Sequence, residues 1–162
     1  MNRINQFKIS ANNYKIVKEI NKGTFGTVYE VRYIKTGQRY AAKVIFSAET
    51  TQEKEMVNRE IQIMMRIIHP TLIGFRGYSL TDFSKNKNIT IFMDFIERGS
   101  LQDILNKVQK SLADEGYNNT SRQIILIGIS YGMMILHQNY VIHRDLKPGN
   151  ILIDKDFYPH IT

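Results

Sequence analysis

The chain has 162 residues, with 22 Lys+Arg against 15 Asp+Glu, a formal net charge of +7, 43% hydrophobic and 23% charged residues. These values fit one globular domain of ordinary size and exclude a disordered or collagen-like chain. The lack of cysteine excludes disulfide scaffolds and cysteine-metal sites, and fits a cytoplasmic or nuclear protein.

The opening "MNRINQFKISANNYKI" has no continuous apolar core of the kind that marks a signal peptide. The most apolar run, "IILIGISYGMMIL" at 124–136, is too short for a membrane span and contains Gly128, Ser130, Tyr131 and Gly132, so it reads as a buried helix. The positive charge favours anionic partners. Its scatter along the chain gives no nucleic-acid arm, and no nucleic-acid partner and no membrane span are expected.

Residues 1–13 are polar and weakly patterned and read as an extension. From Tyr14 the pattern becomes β-rich: "YKIVKEI", "GTVYEVRYI" and "RYAAKVIF" read as three strands, with turns at the glycines and at Lys35–Gln38. Such a series predicts an antiparallel meander. "TTQEKEMVNREIQIMMRII" predicts a helix capped by Thr50 or Thr51, with an apolar stripe of Val57, Ile61, Met64 and Ile68, ended by His69-Pro70. "LIGFRGYSL" and "ITIFMDFI" read as two more strands, joined by the polar link "TDFSKNKN", an exposed hairpin loop.

Beyond "ERGS" the chain turns helical. "SLQDILNKVQK" is amphipathic with Ser100 at the N-cap, and "SRQIILIGISYGMMILHQN" is apolar enough to be buried on several sides. "VIHRDLKPGNILID" reads as a short strand, a tight loop and a second short strand. Strands with one helix followed by mostly helices is an α+β order in two lobes, not alternating βαβ.

Four stretches carry residues suited to chemistry. In "NKGTFGTV", Gly23 and Gly26 let backbone N–H groups approach a polyphosphate, although the same glycines suit a plain hairpin turn. Lys43 lies inside a strand; buried, its ammonium needs an anion beside it, and exposed it needs none. Glu60, next to Ile61 on the helix, can lean inward to supply that anion or stay in solvent. In "HRDLKPGN", Asp145 can accept a hydroxyl proton, Asn150 can offer a neutral oxygen to Mg²⁺, and Lys147 can neutralise a moving phosphoryl group. A charged surface turn is the plain alternative, weakened by the apolar "ILID" that follows.

In this order the four stretches resemble the eukaryotic protein kinase family, serine/threonine type, with the tyrosine-kinase-like group as a candidate subgroup. "HRDLKPGN" is the most specific motif, and the resemblance runs from Tyr14 to Thr162. It implies an α+β, two-lobed protein-kinase-like fold. The N-lobe, an antiparallel sheet plus one helix, would cover about 14–96, and a mainly helical, incomplete C-lobe about 97–162.

By resemblance, Lys43 holds the α- and β-phosphates of ATP and Glu60 pairs with it. Gly23 and Gly26 cover the phosphates, with Asn21 standing where the family has its first glycine. Ile20, Val28, Ala41 and Leu152 sandwich the adenine, Met93 is the gatekeeper, and Asp94 and Ile96 present hinge backbone groups to the adenine edge. Asp145 is the base or orienter of the substrate hydroxyl, Lys147 the residue typical of serine/threonine kinases, Asn150 a Mg²⁺ ligand, and Arg144 a reader of an activation-loop phosphate. His143, Met64 and Phe75 fall in the family's hydrophobic spine. The implied activity is transfer of the γ-phosphoryl of ATP to a protein Ser/Thr hydroxyl.

The 162 residues contain no D-F-G and no A-P-E. The expectation is therefore an incomplete catalytic domain with negligible transfer by 1–162 alone and poor solubility. A non-catalytic nucleotide-binding or regulatory kinase fragment acting through a partner is the alternative. A small-molecule phosphotransferase of related fold is disfavoured by Lys147 and its surroundings.

Overall fold

A computed structural model describes residues 3–46 and 50–162. The chain divides into two compact units. One comprises the residues up to Arg66 together with Gly74–Phe95, the other Ile67–Ile73 with Ile96–Thr162. The order of strands with one helix, then helices, is the α+β class expected from the sequence.

The first unit is a five-stranded antiparallel sheet. Its strands are β1 (Tyr14–Gly23), β2 (Gly26–Tyr33), β3 (Arg39–Ile45), β4 (Phe75–Ser79) and β5 (Thr90–Asp94), in the order β1-β2-β3-β5-β4. Alternation along β3 sorts its side chains. Ala42 pairs with Phe92 on one face, while Ala41 and Lys43 pair with Met93 and Ile91 on the other.

Helix α1 (Thr51–Arg66) covers the Lys43 face, burying Val57 and Ile61 in a cluster with Ile45, Tyr78 and Ile91. Thr50 caps it reciprocally: its hydroxyl accepts from the Glu53 N–H at 3.2 Å, and the Glu53 carboxylate accepts from the Thr50 N–H at 3.0 Å. Ile68 departs from the expected stripe. The helix stops at Arg66, so Ile68 lies outside it and is 86% exposed.

Two segments read from sequence as loose are built in. Residues 3–13 contain two short 3₁₀ turns, and Ala11 is buried with Val31, Ala42 and Phe92. The link at 81–88 is exposed only in part. Asp82 is buried, where its carboxylate accepts hydrogen bonds from the N–H groups of Ser84 and Asn86 and from the side-chain amides of Asn86 and Asn88. Four donors on one carboxylate fix a loop that polarity alone assigns to solvent.

The second unit holds α2 (Leu101–Gln109), α3 (Asn119–Gln138), and a hairpin of β6 (Ile151–Ile153) with β7 (Pro159–Ile161). Ser100 and Asp103 form a capping box on α2, as Asn118 and Ser121 do on α3. The core gathers Ile104, Ile125, Ile151, Ile153 and Phe157.

Two expectations fail in this unit. No strand forms at 141–143, because the chain leaves α3 through left-handed backbone at Tyr140 (φ 58°) and again at Arg144 (φ 66°), which breaks an extended run. The partner of β6 is β7 instead. Helix α3 is also not buried on several sides within its unit. Ile125, Gly132 and Leu136 are covered, but Leu126 and Ile127 are 64% and 69% exposed. Among the described residues no helix is long and apolar enough to cross a membrane.

Candidate active site

In the first unit, antiparallel pairing sets Val28 opposite Lys43 and Lys43 opposite Ile91, all on the sheet face beneath α1. Glu60, on the α1 flank next to buried Ile61, reaches that row, and Lys43 Nζ donates to Glu60 Oε1 at 2.7 Å. The two side chains remain 34% and 41% exposed. An ion pair that wet adds about 1 kcal/mol or less to stability, so its main consequence is positional: it fixes an ammonium over the interior of a rigid strand.

Gly23 and Gly26 close the β1–β2 hairpin over the two-residue turn Thr24-Phe25. Gly26 is required by packing rather than by torsion. A Cβ there would run into the Val44 carbonyl and sit 3.2 Å from Ile45 Cα. Ile20 is 47% exposed, Val28 is half-buried and Ala41 is buried. The unit thus offers an apolar sheet surface beside a charged group.

Asp94 ends β5. Its N–H donates to the Gly74 carbonyl at 2.9 Å, and its carboxylate is held by Arg76 through Nε at 2.5 Å and Nη2 at 2.9 Å. A side chain at position 74 would collide with that carboxylate, which accounts for the glycine. Arg76 is a residue the sequence reading missed. It lies on a neighbouring strand with no local motif to mark it.

In the second unit, Pro148–Asn150 form a 3₁₀ turn that opens β6. The turn directs Asn150 back toward Asp145. Asn150 Nδ2 donates at 2.8 Å to the Asp145 backbone carbonyl and at 2.8 Å to its Oδ2, while Lys147 Nζ stands 2.9 Å from the same Oδ2. The Lys147 ammonium and then the Asn150 amide hold the Asp145 carboxyl below its ordinary value, against an opposing effect of desolvation. An ionised, exposed carboxylate results, suited to receive a proton rather than to give one.

His143 supports this loop in two ways. Its Nδ1 accepts the Asp145 N–H at 3.3 Å, and its Nε2 lies 2.8 Å from the Thr162 carbonyl. The Thr162 N–H and hydroxyl both bond to the Asn150 carbonyl, at 3.0 and 3.2 Å. Thr162 is a second residue the sequence reading missed.

The sequence-predicted residues therefore fall into two sets. Ile20, Gly23, Gly26, Val28, Ala41, Lys43, Glu60 and Asp94 lie in the first unit, and Ile96, Asp145, Lys147, Asn150 and Leu152 in the second. The structure brings Lys43 to Glu60, and Asp145 to Lys147 and Asn150. Leu152 is half-buried on β6 opposite His160. No group of three or more His, Cys, Asp or Glu suited to a metal occurs among the described residues.

Comparison with known proteins gives these geometries a context. Residues 14–162 match the family described as protein kinase domain. The human "Mitogen-activated protein kinase kinase kinase 3" is 34% identical over 146 residues, 88% of this chain and 22% of that protein. "Serine/threonine-protein kinase 1" of Arabidopsis thaliana is 32% identical over 141 residues, 86% of this chain and 16% of that protein. "Serine/threonine-protein kinase 4 homolog B" of Dictyostelium discoideum is 32% identical over 145 residues, 88% of this chain and 12% of that protein. The chain thus spans about a fifth or less of the length of these relatives. With nearly all of its residues matched from Tyr14 onward, the chain belongs to the protein kinase domain family.

Proposed function

We propose that the protein transfers the γ-phosphoryl group of ATP to a serine or threonine hydroxyl of a protein substrate. The observation that carries this reading is the Asp145 carboxylate, ionised and held between the Lys147 ammonium at 2.9 Å and the Asn150 amide at 2.8 Å. Asp145 accepts the proton of the attacking hydroxyl as its oxygen bonds to the γ-phosphorus. The bond from that phosphorus to the β–γ bridging oxygen breaks, and ADP leaves with the electron pair. Lys147 offers positive charge to the phosphoryl oxygens in flight. Lys43, oriented by Glu60, binds the α- and β-phosphates. In the first unit Ile20, Val28, Ala41 and a backbone group of Asp94 serve the adenine and Gly23 and Gly26 admit the phosphates; in the second, Leu152 and a backbone group of Ile96 serve the adenine.

Mg²⁺ fits the donor chemistry of Asn150, whose amide nitrogen is committed to Asp145 and whose Oδ1 is a hard neutral oxygen. When bound, the ion neutralises charge on the phosphate oxygens. Serine/threonine preference rests on Lys147 and on the printed names of two relatives. A cytoplasmic site of action goes with the cysteine-free sequence.

The test is transfer of radiolabelled γ-phosphate to a Ser/Thr-containing protein, with Asp145→Asn as control. A rate that Asp145→Asn leaves unchanged would overturn the assignment. Because the 162 residues contain no D-F-G, nucleotide binding without transfer is a second reading for residues 1–162 by themselves. Calorimetry with Mg²⁺-ATP beside the transfer assay separates the two, and rapid transfer by 1–162 would remove the second.

A further inference from the structure

We propose that residues Phe7–Ala11 form a positioning strap that wraps the β4 edge of the sheet and holds α1, and with it Glu60, in place against Lys43. These residues precede the segment matched by the family, which begins at residue 14, yet they are part of the unit's core. The strap touches both faces of the sheet. On the α1 face, Phe7 packs against the cluster that holds Val57 and Ile61, with its ring 5.5 Å from that of Phe75. On the opposite face, Ile9 packs against the cluster of Val31, Ala42 and Phe92, in which Ala11 is 1% exposed. Between the two, the chain crosses the edge strand, where the Ile9 N–H donates to the Tyr78 carbonyl at 2.8 Å.

Gly77 makes the crossing possible. Its φ of +153° disfavours a side chain, and a Cβ there would stand 2.7 Å from the Phe7 carbonyl and 3.0 Å from Ile9 Cδ1. The pairing of β4 with β5 shifts register between Phe75 and Gly77, the site of this approach. An edge strand needs a cover, but a cover alone would not require a ring on the α1 face. Phe7 supplies that ring. The Lys43–Glu60 pair is too exposed to hold a helix by itself, so apolar contacts on α1 decide where Glu60 stands. Release of the strap would leave the sheet paired and loosen the helix.

Backbone hydrogen exchange of the protein tests this independently of any role in catalysis. Phe7→Ala should raise exchange in α1 by about tenfold, while β2 and β3 amides stay protected. Phe7→Leu, which keeps an apolar side chain, should restore most of the protection. Exchange unchanged in α1, or raised equally in β2 and β3, would overturn the proposal, the second result reducing the strap to a general brace. If Phe7→Ala does not fold, Phe7→Val, a smaller truncation, carries the same comparison with a smaller rise confined to α1. A further consequence, that Phe7→Ala weakens Mg²⁺-ATP binding about five- to tenfold, rests on the nucleotide role assigned to Lys43. Measuring Lys43→Met alongside separates the two: no effect of Lys43→Met on binding refutes that role, whereas the exchange pattern alone decides the strap.

Discussion

Asn150 grips Asp145 at two points, its Nδ2 donating to both the backbone carbonyl and Oδ2 at 2.8 Å. The first bond sets the loop and the second sets the carboxylate. Lys147 acts on the same oxygen and is the larger influence on its ionisation. Lys147→Ala should therefore raise the Asp145 titration midpoint more than Asn150→Ala does, as read by carboxyl-carbon NMR. The native midpoint lies below the unfolded one, so the loop is favoured above the ordinary aspartate value and loses that support as pH falls through the native value. An equal shift in both variants would contradict this ordering.

Removing the charge at 43 separates stability from chemistry. Lys43→Met should lower the unfolding free energy read from urea denaturation by no more than about 1 kcal/mol, as expected of so exposed a pair. On the proposed function, phosphoryl transfer should fall by about a hundredfold or more, the usual effect of deleting one positioned donor to developing charge. Parallel denaturation and steady-state assays check both halves. A large stability loss with transfer intact would reverse the interpretation.

Asp82 offers a second pH dependence, remote from the chemistry. Burial pushes its carboxyl up, but hydrogen bonds from Asn86, Asn88 and Ser84 together bring it below its ordinary value. Between the native and unfolded midpoints the unfolded chain binds more protons, so stability falls with acidification and the contribution is gone below both. Protection of the Ser84 and Asn86 amides, taken relative to the intrinsic exchange rate at each pH, should be high near neutrality and fall below pH of about 4. Asp82→Asn should abolish that dependence.

Gly128 faces Pro159, and a Cβ there would overlap the proline ring, whose Cδ lies 2.7 Å away. Helix propensity alone favours Gly128→Ala by about 1 kcal/mol. Forcing a methyl against a ring that cannot rotate away costs about 1–3 kcal/mol. The collision outweighs the gain over most of that range, and Gly128→Ala should lower stability by up to about 2 kcal/mol in chemical denaturation. A stabilised variant would show that β7 can withdraw from the helix.

The strands β2, β3 and β5 were readable because each alternates in a sheet with one face against α1, and Ser100 was readable as a cap because its role is local. Contacts made across the fold left no such trace. Arg76 and Asp94 meet through strand pairing, and no motif links them. The strand β7 contains a proline and only three residues, too few for periodicity to register. The strap was missed for a related reason: Phe7, Ile9 and Ala11 alternate with Lys8 and Ser10 over five residues only, and nothing local shows that they bury against opposite faces of a sheet. In α3 the apolar count was high, but composition does not say which faces the same unit covers.

The stitching of β7 bears on the order in which the chain matures. The Ile161 N–H donates to the Thr71 carbonyl, the Ile73 N–H to the Ile161 carbonyl, and Thr162 closes on Asn150 and His143. Synthesis runs from the N-terminus, so the segment at 71–73 and the loop at 143–150 leave the ribosome before their partners exist. The sheet of the first unit has all five of its strands once β5 has emerged. The loop bearing Asp145 therefore sets only once Thr162 has emerged, and a nascent protein has a paired sheet before it has a finished loop.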